Sequence, residues 1–238
     1  MSLSTFQLWN RCFGWGIFFI ALTTFGLTVE PTASFWDAGE YIATAAKLQV
    51  GHPPGAPLFQ MMGAFFALFS TSPENIALMV NYMSVFSSAF TVLFLYWTLT
   101  LLMKKIPVFQ SLDNINERFT FFGSAAVGAL AFCFSDSFWF NAVEAEVYAM
   151  ATFILSLLFW LGLRWEQDMN TPRGDRWLLL ISFIIGLSFG VHFMGLLTIP
   201  AIGMIYYFKN TPKVTVKSFL LANVISVAVL LFIFKLLL

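Results

Sequence analysis

Charge is scarce in this sequence. Only 10% of its 238 residues are Asp, Glu, Lys or Arg, against about 25% in an ordinary soluble domain, so too little polar side chain is present to clothe a water-soluble globule. Cysteine is nearly absent. Cys12 and Cys133 each sit in an apolar run, which excludes a disulfide framework and a thiolate metal centre. Histidine occurs only at positions 52 and 192, and no metal-ligand spacing accompanies either, so no metal site is expected from a motif. The formal net charge is zero, which by itself says nothing of nucleic acid, and no nucleic-acid partner is expected. Internal repeats and low-complexity tracts are lacking as well.

What the sequence has in abundance is apolar bulk. Hydrophobic residues make up 59% of the chain, 30 residues are Phe, and the mean hydropathy is +0.82. These values imply an all-α, polytopic transmembrane helical bundle in which the lipid bilayer is the main partner. In chain order, residues 12–29 read as an uncleaved first span, 76–103 as a span stopped by Lys104 and Lys105, and 119–134 as another. Residues 135–141 read as a turn, 142–164 as a helix opening on Glu144, Glu146 and Tyr148, and 177–207 as two short helices meeting near Gly190 to Phe193. That gives six complete spans, and residues 217–238 begin one more apolar segment. Residues 58–70 would form a helix of about 20 Å at 1.5 Å per residue, short of the roughly 30 Å hydrocarbon layer. They therefore read as a juxtamembrane or re-entrant helix.

Between the first span and that short helix lies an ionisable stretch set among apolar segments, residues 34–57. On a helix, Asp37, Glu40, Thr44 and Lys47 follow spacings of three, four and three and share one stripe, the pattern of an amphipathic helix at a membrane surface. Ser34 is placed to cap it, and the Gly51-His52-Pro53-Pro54-Gly55 run to end it. The basic residues set the expected orientation. With the amino terminus cytoplasmic, ten Lys and Arg fall inside and only Lys47 outside. Asp37, Glu40, His52, Asp136, Glu144, Glu146 and His192 then all lie on the outer side.

The runs Phe35-Trp36-Asp37-Ala38-Gly39-Glu40-Tyr41, Gly51-His52-Pro53-Pro54-Gly55 and Glu144-Ala145-Glu146-Val147-Tyr148 resemble a bacterial membrane family long known only as a domain of unknown function. That family is related to protein O-mannosyltransferases of the glycosyltransferase-C class, including the eukaryotic enzymes that mannosylate plexin-type receptor domains. The resemblance covers most of the chain. It implies a glycosyltransferase-C-like bundle with amphipathic juxtamembrane helices in the first outer loop. It also implies a membrane transferase that moves a sugar, a hexose such as mannose, from a polyprenyl-phosphate donor to a protein hydroxyl. The reaction face would be non-cytoplasmic, here the periplasmic side of a bacterial inner membrane. Such enzymes usually have more spans, so residues 1–238 are expected to be a single transmembrane domain forming the amino-terminal part of a longer enzyme, with site segments 34–57 and 136–148.

Glycosyl transfer to a hydroxyl needs a base for the acceptor proton, and a carboxylate at the membrane mouth suits that task. Asp37 is the expected catalytic base, with Glu40 three residues on raising its basicity. Glu144 and Glu146 differ by two, so on a helix they diverge, and Glu146, with Tyr148, is the one expected to face substrate. Lys47, His52 and His192 are the outer-side groups able to meet a lipid phosphate. A divalent cation between Asp37 and Glu146 is chemically allowed, although no cofactor is specified. The same carboxylates would equally cap and solvate a surface helix, and the broken helix at 190–200 would also suit a transporter. A transporter, however, needs charge near the midplane. A non-catalytic membrane scaffold is the third reading, and it makes Asp37 and Glu146 dispensable.

Overall fold

The computed structural model describes residues 1–237. Ten α-helices follow one another, and no strand occurs among the described residues. They are α1 (Leu3–Leu27), α2 (Ala38–Lys47), α3 (Pro57–Ala67), α4 (Ile76–Met103), α5 (Ile115–Cys133), α6 (Asp136–Ala142), α7 (Val147–Asp168), α8 (Gly174–Ser188), α9 (Thr198–Asn210) and α10 (Val216–Leu237).

By length and composition, α4, α7 and α10 are able to cross a membrane, and α5 with α6 would add a fourth span if the pair counts as one. This differs from the six expected. Residues 135–141, expected as a turn, instead belong to helix α6, with Ser135 as its N-cap, and the α5–α6 pair bends by 70° at the break between them. Helices α8 and α9, of 15 and 13 residues, are each too short to cross alone. In α1, Asn10, Arg11 and three glycines dilute an otherwise apolar run. The break between α8 and α9 falls where the sequence placed it, with a 3₁₀ turn at Phe193–Leu197. Helix α3 has 11 residues, about 16 Å, too short to span.

Helix α4 is the mast of the fold. It packs against α1, α5 and α7, and Phe25, Val85, Val92, Tyr96, Phe121 and Phe122 are buried together on one side of it. On the other side, Met83 joins Phe59, Val147, Met150, Ile154 and Leu158. Small residues on its buried face, Ser84, Ser87, Ser88, Ala89 and Thr91, let neighbouring backbones come close without a large side chain between them. The hydroxyls of Ser87 and Thr91 donate to carbonyls four residues back, at 2.8 and 3.0 Å, so they add no unsatisfied donor.

Two glycines fix the short helices against this frame. A Cβ at Gly63 would lie 2.8 Å from Ala45 Cβ, so α3 can touch α2 only because Gly63 has no side chain. A Cβ at Gly190 would lie 2.7 Å from Leu58 Cβ, and the Gly190 carbonyl accepts from the amides of Leu58 and Phe59 at 2.7 and 3.1 Å. The helix break thereby satisfies the free amides at the start of α3.

Candidate functional site

The expected amphipathic helix is shorter than its sequence pattern. Trp36 takes a left-handed φ of 60°, which a non-glycine residue rarely adopts and which a helix cannot pass through. Helix α2 therefore begins at Ala38 with Asp37 as its N-cap, and the Asp37 carboxylate makes no capping bond. Ser34 does not cap it. Its hydroxyl instead donates to Glu144 Oε2 at 2.5 Å. The helix stops at Lys47 because Leu48 is left-handed, φ 50°, three residues before Gly51. Thr44 also leaves the polar stripe, since it is buried and its hydroxyl donates to the Glu40 carbonyl at 2.7 Å.

The 49–56 turn folds back over the start of α2 and lays His52 between its two carboxylates. His52 Nδ1 lies 3.1 Å from Glu40 Oε2, its Nε2 lies 3.8 Å from Asp37 Oδ2, and its amide donates to Glu40 Oε1 at 2.6 Å. These bonds lower the Glu40 pKa, first through the backbone donor and then through the imidazole. Gly51 leaves room at this turn, since a Cβ there would sit 3.2 Å from Glu40 Oε1. Asp37, Glu40 and His52 also offer one ligand atom each within 4.8 Å of one another. A divalent cation could use that spacing, although Glu40 already has both oxygens on His52.

The second segment arrives from more than a hundred residues away. Residues 143–146 are not helical, and the Glu30 amide donates to the Val143 carbonyl at 3.0 Å, holding the stretch against the exit of α1. Glu146 caps α7 in extended backbone, φ −114° and ψ 149°. Its Oε1 accepts the Asp37 amide at 3.1 Å. Both Glu144 and Glu146 are thus turned toward the 34–37 loop, at 2% and 5% exposure. The expectation that only one of them could serve this region rested on a helix that is absent.

Burial sets the electrostatics. Desolvation, then the charges of Glu144 and Asp37, push the Glu146 pKa up to about 7, opposed by the Asp37 and Val147 amides. Glu144 is raised as well, by burial first, while the Ser34 hydroxyl opposes it. Tyr41, one helical turn after Asp37, closes the Phe35–Tyr41 run but has no site role in the sequence reading. It is buried against Phe59 and the His52 ring, at centroid distances of 5.0 and 5.8 Å. Desolvation and then the charges of Glu146, Asp37 and Glu40 push its phenol up to about 12, so it stays a neutral donor. Its position four residues after Asp37 was the available signal.

The remaining expected residues are distributed unevenly. Tyr148 and His192 face each other at 5.5 Å between ring centroids, and burial lowers the His192 pKa. His192 Nδ1 accepts the Met194 amide at 3.2 Å, so one of its nitrogens serves the helix break. Lys47 lies at the far end of α2, about 15 Å along the helix from Asp37, and takes no part in the cluster. Beside the site, between α3, α4, α7 and α8, runs an apolar cavity of about 400 Å³ bordered by Leu58, Met83, Met150, Phe153 and Leu187.

A family model described as the protein O-mannosyl-transferase TMEM260 N-terminal domain matches residues 37–215, more than half of the chain and starting at Asp37. Protein O-mannosyl-transferase tmem260 of Dictyostelium discoideum is 26% identical over 197 residues, covering 77% of this chain and 22% of the relative. Protein O-mannosyl-transferase TMEM260 of Mus musculus is 28% identical over 176 residues, covering 72% of this chain and 22% of the relative. The chain therefore spans about a fifth of the length of these relatives. No solved structure matches it.

Proposed function

The chain belongs to the protein O-mannosyl-transferase TMEM260 N-terminal domain family, and from that premise we propose that it is the membrane part of a glycosyltransferase that moves a hexose such as mannose from a polyprenyl phosphate to a protein hydroxyl. The architecture is read as glycosyltransferase-C-like, with α2 and α3 as the juxtamembrane helices of the first outer loop. Residues 1–238 act as one transmembrane domain of a longer enzyme. The amino terminus is cytoplasmic, and the site faces the periplasm of a bacterial inner membrane.

The observation that carries this reading is the meeting of Asp37 with Glu146, 109 residues apart in sequence, through the 3.1 Å amide bond. Asp37 is the accessible carboxylate, with its side chain 58% exposed beside His52. In the proposed reaction the acceptor hydroxyl oxygen bonds to the anomeric carbon, and its proton passes to Asp37. The carbon–oxygen bond to the lipid phosphate breaks, and the phosphate leaves with the electron pair. His52 and Glu40 hold the Asp37 carboxylate in place. Glu146 and Glu144 anchor the loop that carries it, and the apolar cavity beside Leu58 takes the first isoprene units of the donor. Tyr148 and His192 border the sugar and phosphate on the α7 side, and Lys47 reaches the headgroup layer.

Transfer of radiolabelled mannose from polyprenyl phosphate to a Ser/Thr peptide tests the proposal. In the complete enzyme, transfer is expected with the wild-type sequence, and loss of transfer with retained donor binding is expected in Asp37→Asn. Wild-type rates in a folded Asp37→Asn protein refute it and favour the scaffold or transporter reading.

A further inference from the structure

At the other end of the bundle the charge is reversed. A cavity of about 370 Å³ opens between α1, α4 and α7, and Arg11, Lys104 and Arg164 all line it. Among the described residues no Asp or Glu borders it, and none of the three cations takes part in an ion pair. Arg164 Nη1 donates to Gln167 Oε1 at 3.1 Å, and Lys104 Nζ stands 3.8 Å over the Phe6 ring. The buried Arg164 Nε and Trp97 Nε1 both lack a hydrogen-bond partner, as does Asn10 Oδ1.

Three positive groups around one recess, with no acidic side chain to balance them, call for an anion. A guanidinium with a spare N–H matches a phosphate oxygen in geometry as well as charge. Beside the amides of Gln7, Asn10 and Gln167, the wall carries Leu3, Phe6, Trp97, Leu101 and Trp160, an apolar face that suits an acyl chain better than a free ion. Depth agrees. From Glu146 to Arg164 along α7 is about 27 Å at 1.5 Å per residue, close to the roughly 30 Å of a hydrocarbon core. The recess therefore stands at headgroup level in one leaflet when the Asp37 site stands at headgroup level in the other.

We propose that the Arg11–Lys104–Arg164 cavity is a binding site for one anionic phospholipid, its phosphate held by the two guanidiniums and Lys104 and its chain lying along the Trp97–Trp160 wall. Basic pockets between membrane helices recognise anionic headgroups in this manner. The site is independent of the proposed transfer chemistry and needs no sugar donor.

Native mass spectrometry of the full chain in a neutral detergent tests it, with phosphatidylglycerol and phosphatidylcholine added at equal concentration and inorganic phosphate as a competitor. One phosphatidylglycerol should remain bound, should survive millimolar phosphate, and should raise the melting temperature. The Arg11→Gln/Arg164→Gln protein should bind it at least about tenfold more weakly, the loss of a charge-assisted hydrogen bond, while Lys209→Gln binds as wild type. Should the double variant fail to fold, Arg11→Gln alone decides, since Arg11 is exposed. Equal retention of the two lipids, binding unchanged in the Arg11 variants, or displacement by inorganic phosphate overturns the proposal.

Discussion

Replacing Glu146 with Gln should stabilise the protein, and by an amount that depends on pH. The Glu146 pKa moves from 4.5 to about 7 on folding, and at about 1.4 kcal/mol per pH unit the buried carboxylate, once ionised, costs about 3 kcal/mol. The folded state thus holds more protons than the unfolded state between these two values. Stability contributed by this group is full below pH 4.5 and falls as pH rises to about 7. Glutamine mimics the protonated form and keeps an oxygen for the Asp37 amide. At pH 5 the variant should melt close to wild type. At pH 8 it should be more stable by up to about 3 kcal/mol, less about 1 kcal/mol for exchanging a charged acceptor for a neutral one. Thermal unfolding of the purified proteins in detergent at half-unit pH steps measures the difference. Two parallel curves from pH 5 to 8 would refute the reasoning, because they would mean that Glu146 is as well solvated as an unfolded glutamate.

Asp37→Asn should lower transfer by about a hundred- to ten-thousand-fold, the usual contribution of a general base, and leave donor retention in a lipid-binding assay intact. Gly190→Ala should reduce stability by about 1–3 kcal/mol through overpacking against Leu58, read as a lower melting temperature, while Gly186→Ala, with open space around its Cβ position, should not. In a background lacking Cys12 and Cys133, cysteines at the exposed Ala46 and Gln167 should label from opposite sides of the membrane, and labelling of both from one side would contradict the proposed topology.

Much of the helix order was legible because apolar length and Gly or Pro interruptions report it directly. The break at 189–192, the short α3 and the length of α4 all follow from such signals. The sequence puts Asp37 and Glu40 on one stripe by their spacing of three and makes the Gly-His-Pro-Pro-Gly run a turn, but it does not bring His52 between the two carboxylates; that follows from the 49–56 turn folding back over α2. Two features were hidden. The start of α2 depends on the left-handed backbone of Trp36, a conformation no pattern assigns to tryptophan. The non-helical 143–146 stretch contains no Gly or Pro, and its residues suit a helix well. Tertiary bonds from Glu30, Ser34 and Asp37 override that preference, and they turn two glutamates toward one loop. The basic recess was visible only as scattered positive residues, because Arg11, Lys104 and Arg164 come from three helices.

The central claim is that the loop of Asp37 and the turn of Glu146 together hold the reacting end of a lipid-linked sugar. A structure of the protein with bound polyprenyl-phosphate mannose tests it most directly. The account expects the anomeric carbon beside Asp37, with an acceptor hydroxyl position within direct or one-water hydrogen-bond reach of its carboxylate and the prenyl chain entering the cavity at Leu58. A sugar phosphate seated instead at Arg11, Lys104 and Arg164, with the Asp37 loop empty, would contradict it.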